Sequence, residues 1–315
     1  MPEVDLAGVR ATVVGRVRAW VRLARPPFHT VGVLPFILGA VLAWRLGGVF
    51  RWQVAGWGTL GVVLIMLATY FAGEYWDAVE DALSARHGRS RFAGGSGVVQ
   101  ERLLPPRAPL WGSVVALVLA AGVGLVLQLG YRTGPWTIPL GVVGMVGGFL
   151  YSTRPVRWVT RGWGEVWIAF CYGWLPVAVG SYLQLGRLVP IVHWLALPIG
   201  LTILNVILLN EFPDYPADVA SGKRNLTVRL GPERAAWLYV LVAGLAWVGV
   251  ALTYWQGAPP SGLWLHVPVL VLSGVAAVGV ARRGWRERPT LERLCAATLA
   301  VNLGVTGGYV VAYLT

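Results

Sequence analysis

The sequence predicts an all-α, polytopic membrane protein with about nine transmembrane helices in a bundle around a central cavity. Hydrophobic residues make up 56% of the 315-residue chain, whereas charged residues make up only 13%. Soluble domains usually contain about 25% charged residues, so the composition excludes an ordinary soluble domain. Apolar runs of about 20 residues, the length that crosses a bilayer as a helix, recur along the whole chain.

The first predicted element is a basic segment at the start of the chain. Residues 1–27 carry arginines separated by apolar residues, which predicts an amphipathic helix on the cytoplasmic membrane surface and not a signal peptide. Nine apolar segments then predict the membrane helices, at residues 28–45, 53–73, 110–130, 135–151, 163–183, 190–210, 236–255, 263–281 and 293–314. No change in composition separates soluble domains, so we expect one membrane domain over residues 1–315.

The basic residues predict how the chain crosses the cell membrane. Of 26 lysines and arginines, all but Arg45, Arg51, Arg132 and Arg187 fall on one predicted side of the bilayer. The rich side is expected to be cytoplasmic, which places the N-terminus inside and, after nine crossings, the C-terminus outside. The same distribution accounts for the net charge of +12 through topology and lipid contacts, so it requires no nucleic-acid partner.

Acidic residues cluster at the cytoplasmic ends of the second and sixth predicted helices. Four of the five aspartates form two D-x-x-x-D pairs, Asp77 with Asp81 and Asp214 with Asp218. Residues four apart on a helix are neighbours, so each pair presents two carboxylates on one face. Such a pair repels itself unless a cation lies between the carboxylates, and oxygen ligands with positions left for phosphate suit Mg²⁺. We therefore expect the four aspartates to bind Mg²⁺.

Further polar and basic residues flank both acid pairs. Glu74 and Asn210 stand one helical turn before the pairs and could add oxygen ligands. Arg89 and Arg91 follow the first pair, beside the stretch GGSG at residues 94–97, and Lys223, the only lysine, follows the second. Cations and glycine-rich turns bind phosphate groups. Metal-binding pairs next to such cations predict a diphosphate site at the membrane surface, and a diphosphate with a lipid-soluble tail is an isoprenoid diphosphate.

These motifs resemble those of the intramembrane UbiA-type prenyltransferases. GEYWDAVED at residues 73–81 is similar to the first family signature, with Gly73 and Glu74 in place of Asn-Asp, and NEFPDYPADVASGKR at residues 210–224 is similar to the second. ARPP at residues 24–27 and YSTRPVRWVTRGWGE at residues 151–165 also fit the family pattern. The branch that transfers a polyprenyl chain to 1,4-dihydroxy-2-naphthoate, in the menaquinone pathway, looks nearest.

The resemblance implies a mechanism and a set of site residues. It implies two Mg²⁺ ions on the four aspartates, which neutralise an isoprenoid diphosphate while an aromatic small-molecule acceptor attacks the allylic carbon. Tyr151 and Arg154 belong to a loop where the 4-hydroxybenzoate branch has a lysine, and Arg154 or Arg157 is expected to contact phosphate. Nearby aromatic rings, including Tyr75, Trp76 and Tyr215, could shield a developing cation or simply belong to the interfacial aromatic belt.

Other functions remain open at this stage. The acceptor could be 4-hydroxybenzoate, homogentisate, chlorophyllide or a glycerol-phosphate lipid precursor. A membrane cation transporter also uses intramembrane acids, although it would place them near helix midpoints and not at one margin. A CDP-alcohol phosphotransferase uses metal-binding aspartates, but its D-x-x-D-G-x-x-A-R pattern is missing from the sequence.

Overall fold

The computed structural model describes residues 13–86, 88 and 90–315. Residues 1–12 and the candidate residue Arg89 therefore lie outside the described part of the chain. The described part is helical, with no strand, and confirms the all-α class. In chain order the helices are α1 (Val13–Ala24), α2 (Thr30–Gly47), α3 (Trp52–Trp76), α4 (Ala78–Arg86), α5 (Ala108–Leu125), α6 (Thr137–Ser152), α7 (Gly164–Ala169), α8 (Leu175–Leu185), α9 (Ile191–Asn210), α10 (Tyr215–Ser221), α11 (Leu226–Leu230), α12 (Pro232–Trp255), α13 (Leu263–Ala281) and α14 (Arg288–Leu314).

The described residues contain eight helical segments that are long and apolar enough to cross a membrane. A π-helical turn at Phe170–Trp174 joins α7 and α8 into one of these segments. The predicted fourth membrane helix forms as α6, which has only 16 residues. At 1.5 Å per residue α6 is about 24 Å long, shorter than the roughly 30 Å hydrocarbon core of a bilayer. The chain is a multi-pass membrane protein.

The helix α1 leads into α2 through a tight turn. Arg25 adopts a left-handed conformation with φ of 47°, and a 3₁₀ turn follows at Pro26–His29. On α1, Val13, Val17 and Val21 are exposed and repeat every four residues, so they form one apolar row. Such a row on a short basic helix suits the headgroup region of a bilayer, and the surface position of residues 1–27 stays a prediction.

Small residues allow the central helices to pack backbone to backbone. A methyl group on Gly39 of α2 would collide with the Val177 carbonyl of α8, and one on Gly180 of α8 would collide with the Phe36 carbonyl of α2. Close approach through glycine is the usual way in which membrane helices gain packing contacts, because lipid supplies no hydrophobic drive between them. The helix α14 packs against α2, α9 and α13 and completes the bundle.

Breaks in two long helices bring the acidic segments together. The helix α3 ends at Trp76, and α4 resumes after Asp77. The helix α9 ends at Asn210, and α10 begins at Tyr215, between Pro213 and Pro216. Proline cannot donate its backbone nitrogen to a helix, so the break falls where these prolines stand. Because α4 and α10 pack against each other, both acid pairs lie at one end of the bundle.

Candidate active site

The four paired aspartates line a single cavity. This polar cavity has a volume of about 270 Å³ and is also lined by Lys223. Within each pair, the later aspartate donates its backbone N–H to the carbonyl of the earlier one, over 2.8 Å for Asp81 to Asp77 and 2.9 Å for Asp218 to Asp214. One helical turn therefore separates the members of each pair, as their spacing predicted.

The first pair is held by residues at the end of α6 and in the loop that follows it. Ser152 donates to Asp77 Oδ2 over 2.7 Å, and Arg157 donates to Asp77 Oδ1 and to Glu80, each over 2.8 Å. Burial, together with the carboxylates of Glu74 and Asp77, raises the pKa of Asp81 well above its usual range. Burial and these neighbouring carboxylates therefore favour the protonated form of Asp81.

The second pair is held partly by the loop that follows it. The Lys223 ammonium lies 3.3 Å from Asp218 Oδ1, and Asn225 donates to Asp218 Oδ2 over 2.8 Å. Burial raises the pKa of Asp218 to about 6, although Lys223 opposes this shift. Burial lowers the pKa of Lys223, but the four surrounding aspartates outweigh burial and raise it overall, so the ammonium stays charged.

A glycine loop at residues 92–97 covers the acids. Its Gly94 N–H donates to Asp214 Oδ2 over 2.8 Å, and Ser84 donates its hydroxyl to the other oxygen of Asp214. Gly94 has a φ of 72°, a conformation that residues with a Cβ rarely adopt. A side chain on Gly95 would collide with the Asp81 carboxylate, so the loop can approach the acids this closely only with glycine at that position.

Glu74 anchors this glycine loop to the membrane helices. It accepts hydrogen bonds from the Ser96 backbone and hydroxyl, the latter over 2.9 Å. Arg25 donates to Glu74 over 3.2 Å and to the Gly94 carbonyl. Glu74 is only 3% exposed, so these donors take the place of the water that would otherwise solvate its carboxylate. Glu74 lines the polar cavity, but in this structure its carboxylate is hydrogen-bonded to Arg25 and Ser96.

The candidate residues divide according to their position. Tyr151 and Asn210 line the polar cavity, as does Glu74. The side-chain oxygen of Asn210 is buried and has no hydrogen-bond partner, so it is available to a ligand in the cavity. In contrast, Arg91 and Arg154 are exposed and lie outside the cavity lining.

Several site residues were not selected as candidates from the sequence. Arg157, which the resemblance offered only as an alternative to Arg154, contacts Asp77 directly. Arg25 was quoted in the stretch ARPP, and Asn225 directly follows Gly-Lys-Arg, but neither was assigned a role. Among the aromatic rings, Tyr70, Tyr151 and Tyr172 line the cavity, whereas Tyr75, Trp76 and Tyr215 are not among the lining residues. Adjacent helical residues point about 100° apart, so nearness in sequence did not identify these rings.

Two glutamates, Glu165, which is buried, and Glu211, which is half-buried, accept hydrogen bonds from the segment after Lys223. Glu165 accepts the backbone N–H of Leu226 over 2.7 Å, and Glu211 accepts that of Thr227 over 3.1 Å. Both donors belong to the first turn of α11, where helix N–H groups lack internal partners. Burial and the Glu165 carboxylate raise the pKa of Glu211 well above its usual range. The pair thus fixes the helix that follows Lys223 and Asn225.

Comparisons with known proteins agree with this fold. A model of the UbiA prenyltransferase family matches residues 33–303. The 1,4-dihydroxy-2-naphthoate octaprenyltransferase of Mycobacterium tuberculosis is 28% identical over 294 residues, which cover 91% of this chain and 95% of that protein. The bacteriochlorophyll synthase 33 kDa chain of Cereibacter sphaeroides is 33% identical over 138 residues, 43% of this chain and 45% of that one.

A solved structure shares the fold at low sequence identity. It is a UbiA homolog from Archaeoglobus fulgidus bound to DMAPP and Mg²⁺, with a TM-score of 0.58, 16% identity, and coverage of 90% of this chain and 98% of that one. The family match spans most of the helical bundle and includes both acid pairs. The chain therefore belongs to the UbiA prenyltransferase family and is an enzyme that transfers prenyl groups.

Proposed function

We propose that this enzyme transfers a polyprenyl group from an isoprenoid diphosphate to 1,4-dihydroxy-2-naphthoate, in an Mg²⁺-dependent reaction of quinone biosynthesis. The observation that carries the proposal is the convergence of four aspartates and one half-buried lysine on a single cavity. Relatives that cover nearly the whole chain, from Mycobacterium tuberculosis and Escherichia coli, carry the name of this naphthoate prenyltransferase. The acceptor rests on those names, whereas the diphosphate site rests on the geometry.

The residues present fit Mg²⁺. Among the described residues, no three acidic, histidine or cysteine side chains already converge on one point. Mg²⁺ does not require such a cage, because it is usually held by one or two carboxylates together with substrate phosphates and water. Asp77 with Asp81, and Asp214 with Asp218, would each supply such carboxylates, and Asn210 has a free buried oxygen nearby. The bound ions would neutralise charge that develops on the departing diphosphate.

The protein groups then act on the two ends of the breaking bond. The Lys223 ammonium is positioned to contact a phosphate oxygen in the cavity, where a preorganised charge stabilises the leaving group. The allylic C–O bond breaks, its electron pair leaves with the diphosphate, and a ring carbon of the acceptor forms the new C–C bond. That ring carbon then releases the proton, or the carboxyl group as carbon dioxide, that it carried.

Aromatic rings shield the reacting carbon. Tyr70, Tyr151 and Tyr172 line the polar cavity. The face of an aromatic ring attracts a cation by about 0.5–2 kcal/mol, with the larger values where water is excluded. We assign these tyrosines the role of stabilising positive charge on the allylic carbon and excluding water from it.

An assay with purified protein tests the proposal directly. The protein would be incubated with an isoprenoid diphosphate, Mg²⁺ and each acceptor separately: the naphthoate, 4-hydroxybenzoate, homogentisate and chlorophyllide. We expect a prenylated naphthoate by mass spectrometry, and no product after chelation of the metal. Prenylation of another acceptor with none of the naphthoate would overturn the acceptor assignment, and ion transport by reconstituted protein without any prenyl product would favour a transporter.

We also propose that the polar cavity faces the cytoplasm, as the arginine distribution predicts. Single cysteines replacing Ser90 and Pro260, in a background lacking Cys171 and Cys295, should react with a membrane-impermeant reagent from opposite sides. The position-90 cysteine should react only from the cytoplasmic side. Reaction of both cysteines from one side would refute the nine-crossing topology, and reaction of the position-90 cysteine from the outside only would refute the orientation.

A further inference from the structure

The helix α1 is tied by hydrogen bonds to the glycine loop that covers the acids. Arg22 donates to the Ser96 carbonyl over 2.7 Å and to the Glu101 carboxylate over 2.8 Å. A second donor of Arg22 reaches the other oxygen of Glu101 over 3.2 Å, so the contact is bidentate. One turn later, Arg25 donates to the Gly94 carbonyl. Two arginines at the end of α1 therefore hold both ends of the glycine loop.

Apolar packing joins α1 to the same segment of the chain. Ala19 and Leu23 are the two buried residues of α1. They belong to one buried cluster with Val98 and Leu104, which follow the glycine loop directly. Because separation of such a cluster would expose apolar surface to water, α1 and the segment after the loop are expected to move together.

The remaining surface of α1 has the pattern of a helix that lies on a membrane. The valine row, Val13, Val17 and Val21, is more than half exposed at each position. Successive helical residues turn by about 100°, which places Arg16 about 60° to one side of Val13 and Arg18 about 60° to the other side of Val21. Both arginines are exposed. The valine row is therefore flanked by a cation on each side.

This surface fits an anionic lipid leaflet. The described residues of α1 include no Asp or Glu, so its exposed charge is entirely positive. Valines that enter the acyl boundary, with arginines at the level of the headgroups, are the usual arrangement of an interfacial helix. The cytoplasmic leaflet carries anionic lipids, and each arginine near it favours binding by about fivefold.

We propose that α1 binds the anionic cytoplasmic leaflet and that this contact holds the glycine loop over the four aspartates, so that the enzyme works best in anionic lipid. The inference rests on the proposed function and orientation, because it needs the diphosphate site to lie under the loop on the cytoplasmic side. A bound α1 is already ordered, so Arg22 and Arg25 lose less freedom when they hold the loop. The lipid thus favours the covered state over any state in which these contacts are broken.

Two variants separate lipid binding from the link to the loop. Arg16→Gln/Arg18→Gln removes the two flanking cations and leaves the loop contacts in place. Arg22→Met removes the hydrogen bonds to the loop and leaves the flanking cations in place. The matched control is Arg234→Gln/Arg282→Gln, which removes two exposed cations on the same predicted side of the membrane, away from α1.

Hydrogen exchange of the amides at residues 92–101 measures how firmly the loop is held. The full-length protein would be placed in nanodiscs of phosphatidylcholine, with or without phosphatidylglycerol. In the parent, phosphatidylglycerol should slow exchange of these amides by about tenfold or more. The control should respond as the parent does, whereas the flanking-arginine variant and Arg22→Met should exchange at one rate in both lipids.

A second readout reports where α1 lies. A polarity-sensitive fluorophore on Val17→Cys, in a background lacking Cys171 and Cys295, should report an apolar environment in anionic nanodiscs. Addition of Arg22→Met should leave that signal unchanged, and addition of Arg16→Gln/Arg18→Gln should reduce it. Prenyl transfer by the parent should rise with phosphatidylglycerol, and transfer by Arg22→Met should not.

Each other outcome has a distinct meaning. Equal exchange of the parent loop in both lipids, an unchanged response in Arg22→Met, or loss of the response in the control would each overturn the proposal. The same protection from inorganic phosphate in neutral nanodiscs would assign the effect to a free anion and also overturn it. Lipid-dependent exchange without transfer to any acceptor would sustain the link between α1 and the loop and refute the proposed function.

Discussion

The two acid pairs share one sequence pattern but have different surroundings. Asp77 in the first pair is held by Ser152 and Arg157, which come from α6 and the loop after it. Asp218 in the second pair is held by Lys223 and Asn225, which come from its own following loop. The first pair is therefore held by Arg157, whose guanidinium also binds Glu80. The second pair is contacted by Lys223, whose side chain is flexible. We therefore propose that Arg157 orients a carboxylate, whereas the Lys223 ammonium, which contacts Asp218 in this structure, turns to a phosphate when substrate binds.

Removing any one carboxylate should give the largest effect. Alanine substitution of each aspartate should lower kcat/KM by about a hundredfold or more, because it removes a carboxylate that helps to stabilise the charge on the departing diphosphate. The four variants are Asp77→Ala, Asp81→Ala, Asp214→Ala and Asp218→Ala. Steady-state assays on detergent-purified protein measure this. If both variants of one pair kept near-parental activity, that pair would not belong to the active site, and only the other pair would act in catalysis.

Lys223→Met should have the next largest effect. It removes the ammonium but keeps the stem, and a hydrogen bond to a charged group contributes about 1.5–3 kcal/mol, which corresponds to a loss of about ten- to a hundredfold in kcat/KM. Lys223→Arg should restore part of the activity, since it keeps the charge with a different geometry. The control is Arg234→Met, an exposed cation on α12. Equal, small losses in the two methionine variants would show that Lys223 serves only as a loop charge.

Arg157→Met should have a smaller effect on catalysis and a clear effect on stability. It leaves the Asp77 and Glu80 carboxylates without their shared partner, and we expect about a tenfold lower kcat/KM and a lower apparent unfolding temperature. Arg154→Met, three residues earlier and exposed, should leave both quantities unchanged. The reverse order of effects would restore Arg154 as the phosphate contact that the sequence suggested.

The smallest expected effect is a dependence of stability on pH. The pKa of Asp218 is raised to about 6 in the folded protein, whereas an unfolded aspartate has a pKa of about 3.9. Without metal, this group therefore stabilises the fold below about pH 4, and that contribution is lost as the pH rises through about 6. Mg²⁺ requires the ionised carboxylate, so its stabilisation should grow over the same interval.

Thermal unfolding with and without Mg²⁺ at pH 5 and pH 7.5 measures this dependence. We expect the Mg²⁺-induced rise in apparent unfolding temperature to be a few degrees larger at the higher pH. Asp218→Asn, which cannot ionise, should show a smaller pH dependence without metal. An Mg²⁺ effect of the same size at both pH values would contradict a protonated Asp218 in the metal-free protein.

The sequence predicted the scaffold better than the surroundings of the acids. Hydropathy was sufficient to predict the helices, and the D-x-x-x-D spacing was sufficient to predict that the two aspartates of each pair lie one helical turn apart. Both features depend on periodicity along a single helix. Arg25 and Arg157 reach the acids from left-handed conformations, with φ of 47° and 41°. Arginine adopts that conformation only rarely, so no residue pattern indicated where these side chains point. The apolar cavity between α3, α5, α6 and α8 depends on how these four helices pack, which residue spacing within one helix does not reveal.

The central claim is that both acid pairs act together on one diphosphate, and metal binding tests it most directly. Mg²⁺ would be titrated calorimetrically into the purified protein in the presence of a non-transferable isoprenoid diphosphate. The account predicts two ions per chain for the parent protein, and loss of tight Mg²⁺ binding in both Asp77→Asn/Asp81→Asn and Asp214→Asn/Asp218→Asn. If either double variant still bound two ions with parental affinity, the removed pair would not hold metal, and the account would be contradicted.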